Sequence, residues 1–215
     1  MTRSEPATRD SLLDSAEALF AEHGFGSASV RAITEAAGAN IAAINYHFGS
    51  KLELVKAVLE RRVGPLNTER LRRLEICQSG ANPTLDEVVA AFIQPALEMI
   101  RDDEDRANMA RLLGNVFSQA NADLRPVLLD LFGPMIERFV PVLRRLLPDL
   151  TKEQIYWRLH FMIGATSFTV GLGNVAQAYS GGVCDPGDAD QLGHELIGFV
   201  AAGFSYDAEQ SRTAR

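Results

Sequence analysis

Nine side chains between Ser29 and Lys51 have the types and spacing to hold a polyanion and reach the edges of bases. The stretch reads SVRAITEAAGANIAAINYHFGSK. Asn40 and Asn45 bring amides that hydrogen-bond bases or phosphates. Ser29 brings a hydroxyl, and Tyr46, His47 and Lys51 suit phosphate oxygens. Arg31 adds a cation. Ala42 and Ala43 are small enough to touch a thymine methyl or admit close approach. Other chemistries find no support. There is no nucleophile motif, Gly-rich phosphate loop or metal-ligand cluster, so an enzyme is not expected and no cofactor is implied. His23, His47, His160 and His194 show no paired ligand spacing with one another or with Cys77 and Cys184.

Short helices position these groups. Ser29 caps the first, which turns Val30, Ile33 and Ala37 to one face. Gly38 stands where a left-handed helix end wants glycine. Asn40 caps a second helix, whose Ile44 and Phe48 face inward. Two short helices around a glycine-containing turn form the helix-turn-helix pattern, whose second helix enters the DNA major groove. Ahead lies a helix from about Thr8 to His23, ended by Gly24, with Phe25 folding back into the core of a three-helix unit. Arg3 and Arg9 are further phosphate candidates there. Behind, Ser50 caps a longer helix that Gly64-Pro65 is expected to kink or interrupt. In the NTERLRRLEI run after it, Arg70, Arg72 and Arg73 read as a solvated face.

The wording resembles the TetR family of bacterial transcriptional regulators. The marks are Leu19-Phe20, Gly24-Phe25, Ser29-Val30, Ile33, Ala36-Ala37-Gly38, His47-Phe48 and Ser50-Lys51, over roughly the first third of the chain. By position in that motif, Arg31 reaches a guanine edge. Asn45 departs from the pattern, which usually has an aromatic there. Ile41 has two open readings: its spacing with Ile44 and Phe48 suggests burial, whereas the motif turns it to DNA.

Composition sets bounds. The chain has 215 residues, 47% hydrophobic and 23% charged, which fits an ordinary globular protein with a real core. No apolar run is long enough to span a membrane, and MTRSEPATRD lacks the apolar core of a signal peptide, so a cytoplasmic protein is expected. The two cysteines are too few for a disulfide framework. Residues 1–66 hold seven Lys/Arg and eight Asp/Glu, a net of −1; the total is −7, so the remainder carries −6. DNA affinity must therefore come from local placement of cations, with Arg31, Lys51 and Lys56 as candidates.

The rest reads as helices separated by polar turns, with no strand-like alternation. Thr84 with Glu87, and Thr151 with Gln154, form capping boxes. Asp123 caps a long helix; Pro95, Pro134 and Pro141 are expected to interrupt or bend theirs. The fold expected is all-α, about nine helices. A helix-turn-helix domain occupies 6–66, and a ligand-binding and dimerisation domain 67–210. Bulky apolar residues of the second part are candidates to line a cavity: Phe92, Met99, Leu113, Phe117, Phe132, Met135, Phe139, Trp157 and Phe161. Arg111, Asn115, Gln119, Arg158 and His160 are the polar groups able to meet a ligand head. The words NMARLLGNVFSQ (108–119) and YWRLHFMIGATSF (156–168) resemble the fatty-acid-responsive, PsrA-like branch of the family. That resemblance implies a repressor released by a fatty acid or acyl thioester. It also implies a homodimer, through the small-residue surfaces of the last two helices, on a near-palindromic DNA operator. The competing reading is a lipid or small-molecule binding protein without DNA binding, supported only by the acidic balance.

Overall fold

In the computed structural model, the described residues are 5–80, 82–98, 111–112, 114–115 and 124–206. Their regular structure is entirely helical, with no strand among them. The elements are α1 (Glu5–Ser27), α2 (Val30–Ala36), α3 (Ala42–Phe48), α4 (Lys51–Ser79), α5 (Leu85–Glu98), α6 (Leu124–Leu146), α7 (Lys152–Tyr179) and α8 (Ala189–Ser205). A further short helical stretch includes residues 111–112 and 114–115. The all-α expectation of about nine helices holds.

The chain divides into two compact units, neither of them one continuous segment. The first comprises Met1–Asn67 and Asp102–Pro134; the second comprises Thr68–Arg101 and Met135–Arg215. Helices α4 and α6 each carry the chain from one unit to the other.

In the first unit, Leu12, Ala16 and Phe20 of α1 close over Ile33 and Ile44 of the hairpin, all fully buried or nearly so. Helical geometry breaks at Gly24 (φ 78°, ψ 165°), a region open to glycine alone. Phe25 then turns back onto Phe20, ring centroids 5.0 Å apart. Leu54, Val58 and Leu59 complete the core from α4. Buried Glu17 of α1 accepts from Arg61 Nη2 at 2.6 Å and Arg62 Nε at 2.5 Å, joining α1 to α4 by charge.

In the second unit, α5 packs chiefly on α8, and α7 meets both. Phe92 and Phe139 meet edge to face, centroids 5.6 Å apart. Both expected capping boxes form. Thr84 N donates to Glu87 Oε2 at 2.8 Å and Glu87 N to Thr84 Oγ1 at 3.2 Å; Thr151 and Gln154 repeat the pattern. The bonds to Thr84 hold the Glu87 carboxyl below its ordinary range.

Two expectations are corrected. Among the described residues Pro65 and Pro95 do not interrupt their helices: α4 runs through Pro65 and α5 through Pro95, as α6 runs through Pro134 and Pro141. At Pro65 the ring is exposed while Val63, Leu66 and Leu74 stay buried, so packing of the opposite face carries the helix past the missing N–H. Arg70 is not on a solvated face. It is only 4% exposed, because it shares the buried stripe of Val63, Leu66, Asn67 and Leu74. The cap expected at Asp123 lies outside the described residues.

Candidate nucleic-acid interface and effector region

The hairpin is built by local hydrogen bonds. Ser29 is extended (ψ 151°) and its Oγ accepts from Ala32 N at 3.1 Å, leaving its O–H to donate outward. At the other end of α2, Gly38 N donates to Glu35 O and Ala39 N to Thr34 O, with Gly38 at φ 63°. This is the Schellman ending, in which a left-handed residue lets two final carbonyls find donors. Asn40 Oδ1 then accepts from Ala43 N at 2.9 Å. Asn40 thus caps the second helix, and its amide nitrogen is the group left to donate.

The register of α3 separates an inner from an outer face. Ile44 is 1% exposed and anchors the helix. Ile41 (54% exposed), Ala42, Asn45 and Tyr46 (72%) form the outer face with Asn40. The two readings of Ile41 resolve toward the outer face. Ala43 and His47 are half-buried, and the His47 ring lies edge-on to Tyr46 at 5.0 Å. Phe48 is also half-buried, with the Arg9 guanidinium 5.2 Å from its ring centroid.

The three candidate cations differ. Arg31 is exposed on α2. Lys51 Nζ donates to Phe25 O at 2.5 Å, tying the first residue of α4 to the end of α1 just past its break at Gly24, and its burial pulls the ammonium pKa down. Lys56 Nζ bonds Asp130 Oδ2 at 2.9 Å, and that hydrogen bond raises its pKa.

The described effector candidates fall in both units. Phe92, Met135 and Phe139 are buried together in the second unit. Trp157, His160 and Phe161 stand on the exposed face of α7, with the indole stacked on Phe161 at 6.0 Å. Arg111 is exposed and Phe132 half-buried, both in the first unit. Met99, Leu113, Phe117 and Gln119 lie outside the described residues. Two of the polar candidates hold backbone instead. Arg158 caps the end of α8, donating to Phe204 O and, at 2.6 Å, to Tyr206 O. Asn115 Nδ2 donates to Phe20 O and Ala21 O, each at 3.0 Å.

Arg70, read from sequence as solvated, is a buried and bonded cation. Its Nε donates to Phe92 O at 2.9 Å while the guanidinium stacks on the Phe92 ring. Burial lowers its pKa to about 9, so it stays charged at neutral pH. The spacing 63, 66, 67, 70 and 74 was the signal available to find it.

Among the described residues, no group of three or more His, Cys, Asp or Glu is placed for a metal. No helix among them is long and apolar enough to cross a membrane.

A capped, glycine-turned hairpin with a buried anchor and an outward polar face is the reading head of a helix-turn-helix DNA-binding protein. A model of the bacterial regulatory proteins of the tetR family matches residues 12–58, and one of the tetracyclin repressor-like C-terminal domain matches 90–203. The chain belongs to the TetR family of bacterial regulatory proteins. Members of that family are DNA-binding regulators and not enzymes, and this chain is one of them. No curated protein sequence matches it.

Solved structures share its architecture. The fatty acid degradation regulator FadR of Bacillus halodurans is 16% identical, covering 96% of this chain and 100% of its own, with a TM-score of 0.61. FadR of Bacillus subtilis, in complex with stearoyl-CoA, is 16% identical over 90% of this chain and 98% of its own, TM-score 0.62. NalD of Pseudomonas aeruginosa, the secondary repressor of a multidrug efflux pump, is 19% identical over 93% and 98%, TM-score 0.67. At these identities the likeness is one of fold.

Proposed function

We propose that this regulator is a cytoplasmic homodimeric repressor, released from a near-palindromic operator by a hydrophobic effector such as a fatty acid or acyl thioester. The observation that carries the DNA reading is the outer face of α3. Asn40, Ala42, Asn45 and Tyr46 are exposed there around an anchored Ile44. Arg31 reads a base edge beside it. Ser29, Tyr46 and His47 hold phosphates, and Ala43 allows close approach.

Dimerisation is supported by an apolar stripe down α7. Trp157, Phe161, Phe168, Leu172, Val175 and Tyr179 recur at helical spacing and are all exposed, as is Phe199 of α8. An uncovered stripe of that length is unfavourable in water, and a two-fold partner offering the same face covers it. Exposed Gly164, Gly198, Ala202 and Gly203 let helices approach closely. This assigns Trp157 and Phe161 to the partner, leaving Phe92, Met135 and Phe139 as the apolar groups for an effector, with Arg70 beside them.

The effector class rests on the sequence words shared with the fatty-acid-responsive branch. FadR with stearoyl-CoA is an example, in that protein, of an acyl thioester held by this fold. The test begins by selecting duplexes from a random library with the full chain. The selected complex is then challenged in a gel shift with palmitate and stearoyl-CoA. Release at micromolar ligand is expected. A complex that survives both removes the fatty-acyl effector; failure to select any duplex removes the operator-binding reading.

A further inference from the structure

Asn115 lies outside the stretch matched by the DNA-binding family model (12–58) and inside the C-terminal match (90–203). Yet it belongs to the compact unit that contains the reading head. Its side chain donates to two backbone carbonyls that precede it by more than ninety residues, Phe20 O and Ala21 O.

Those carbonyls occupy a particular place. The regular part of α1 stops at Gly24, and the last four carbonyls of a helix lack donors from a following turn. Phe20 and Ala21 belong to that last turn. An amide nitrogen carries two N–H groups, enough to serve one carbonyl each. Immediately beyond, Phe25 packs on Phe20 and its carbonyl accepts from Lys51 at 2.5 Å. The bend that aims the chain into α2 and α3 is thus held from both sides. Lys51 holds it from the end of the hairpin, and Asn115 from a segment of the C-terminal family region.

We infer that Asn115 is a positioning residue for the reading head: by closing the end of α1 with both amide hydrogens, it fixes the bend at Gly24 and so the aim of the α2–α3 hairpin. Aspartate at this position would set carboxylate oxygens against two carbonyl oxygens and open the bend. Alanine would only remove the donor. The inference rests on DNA binding alone and is independent of the effector's identity.

The experiment compares the full native chain with Asn115→Asp, Asn115→Ala and Asn115→Ser. Each is titrated with the duplex selected by the native chain and with a scrambled duplex of equal length. Titrations are run at a temperature where far-UV circular dichroism shows all proteins equally helical. The expected result is a fall of about tenfold in operator affinity for Asn115→Asp and a smaller fall for Asn115→Ala, with scrambled-duplex affinity unchanged. Asn115→Ser, which keeps one donor, falls least. A specific-to-scrambled ratio equal to native in the alanine and aspartate variants overturns the inference. If the aspartate variant does not fold, the alanine and serine variants decide on the same ratio. Should the native chain select no duplex, the DNA-binding reading fails instead.

Discussion

The guanidinium of Arg70 lies 3.9 Å from the centroid of the Phe92 ring and its Nε donates to the carbonyl oxygen of the same residue at 2.9 Å. Arg70→Ala removes both the stack and the donor and leaves a void. It is expected to cost about 2–4 kcal/mol in urea unfolding. Arg70→Met, which keeps most of the volume without burying charge, is expected to cost about half as much. Equal stability of the alanine variant and the native chain would show the contact to be inert.

Lys51 and Arg31 are separable by salt. Lys51 Nζ is committed to Phe25 O, so Lys51→Met is expected to lose about 1 kcal/mol of stability and keep the native salt slope of operator binding. A slope lower by about one would instead make it a phosphate contact. Arg31→Ala is expected to relax preference at one base pair by about 1–3 kcal/mol, read from affinities for point-mutated operators. Uniform weakening across all sequences would reassign Arg31 to phosphate.

Phe168 sits at the middle of the α7 stripe and is 63% exposed. Phe168→Glu is expected to give a monomer in sedimentation velocity with native helicity, and to lose operator binding by at least a hundredfold at nanomolar protein, since one head cannot span two half-sites. A native-like dimer would move the interface elsewhere.

Glu69 accepts from Arg72 Nη2 at 2.7 Å and Arg73 Nε at 2.6 Å, and those hydrogen bonds hold its carboxyl at about 2. A depressed carboxyl contributes stability above its unfolded value of 4.5 and loses it as pH falls toward 2. The melting temperature of Glu69→Gln is therefore expected to lie slightly below native at pH 7, with the gap narrowing as pH falls from 4.5 toward 2. A gap that does not narrow between pH 4.5 and pH 2.5 would point to packing instead of charge. Because Glu69 is solvated, the gap should be small.

What the sequence disclosed and what it hid divide by range. Ser29, Gly38, Asn40 and the two capping boxes act on neighbours three to five residues away, so their roles can be read from adjacent letters. The inward turn of Ile44 follows from helical spacing in the same way. Arg70 was hidden because a charged letter in a run of charges suggests solvent, and only its register with Val63, Leu66 and Leu74 says otherwise. Asn115 and Arg158 read only as groups able to meet a ligand head, because the backbone acceptors they hold lie 95 and 94 residues back and 46 residues ahead. Aromatic letters likewise state size and apolarity, and tertiary packing alone decides that Phe92 is buried while Trp157 is exposed.

The chain crosses between the compact units three times: within α4 at Asn67–Thr68, at Arg101–Asp102, and within α6 at Pro134–Met135. A gene cut after the hairpin would therefore strand residues 102–134, including the amide that closes α1. Exchanging reading heads between relatives by a single crossover should yield proteins that fold poorly or bind no operator. A working exchange needs three junctions in one recombinant, after residues 67, 101 and 134, so that the 102–134 segment travels with its own head. Such a constraint would make this head and this segment an inherited pair.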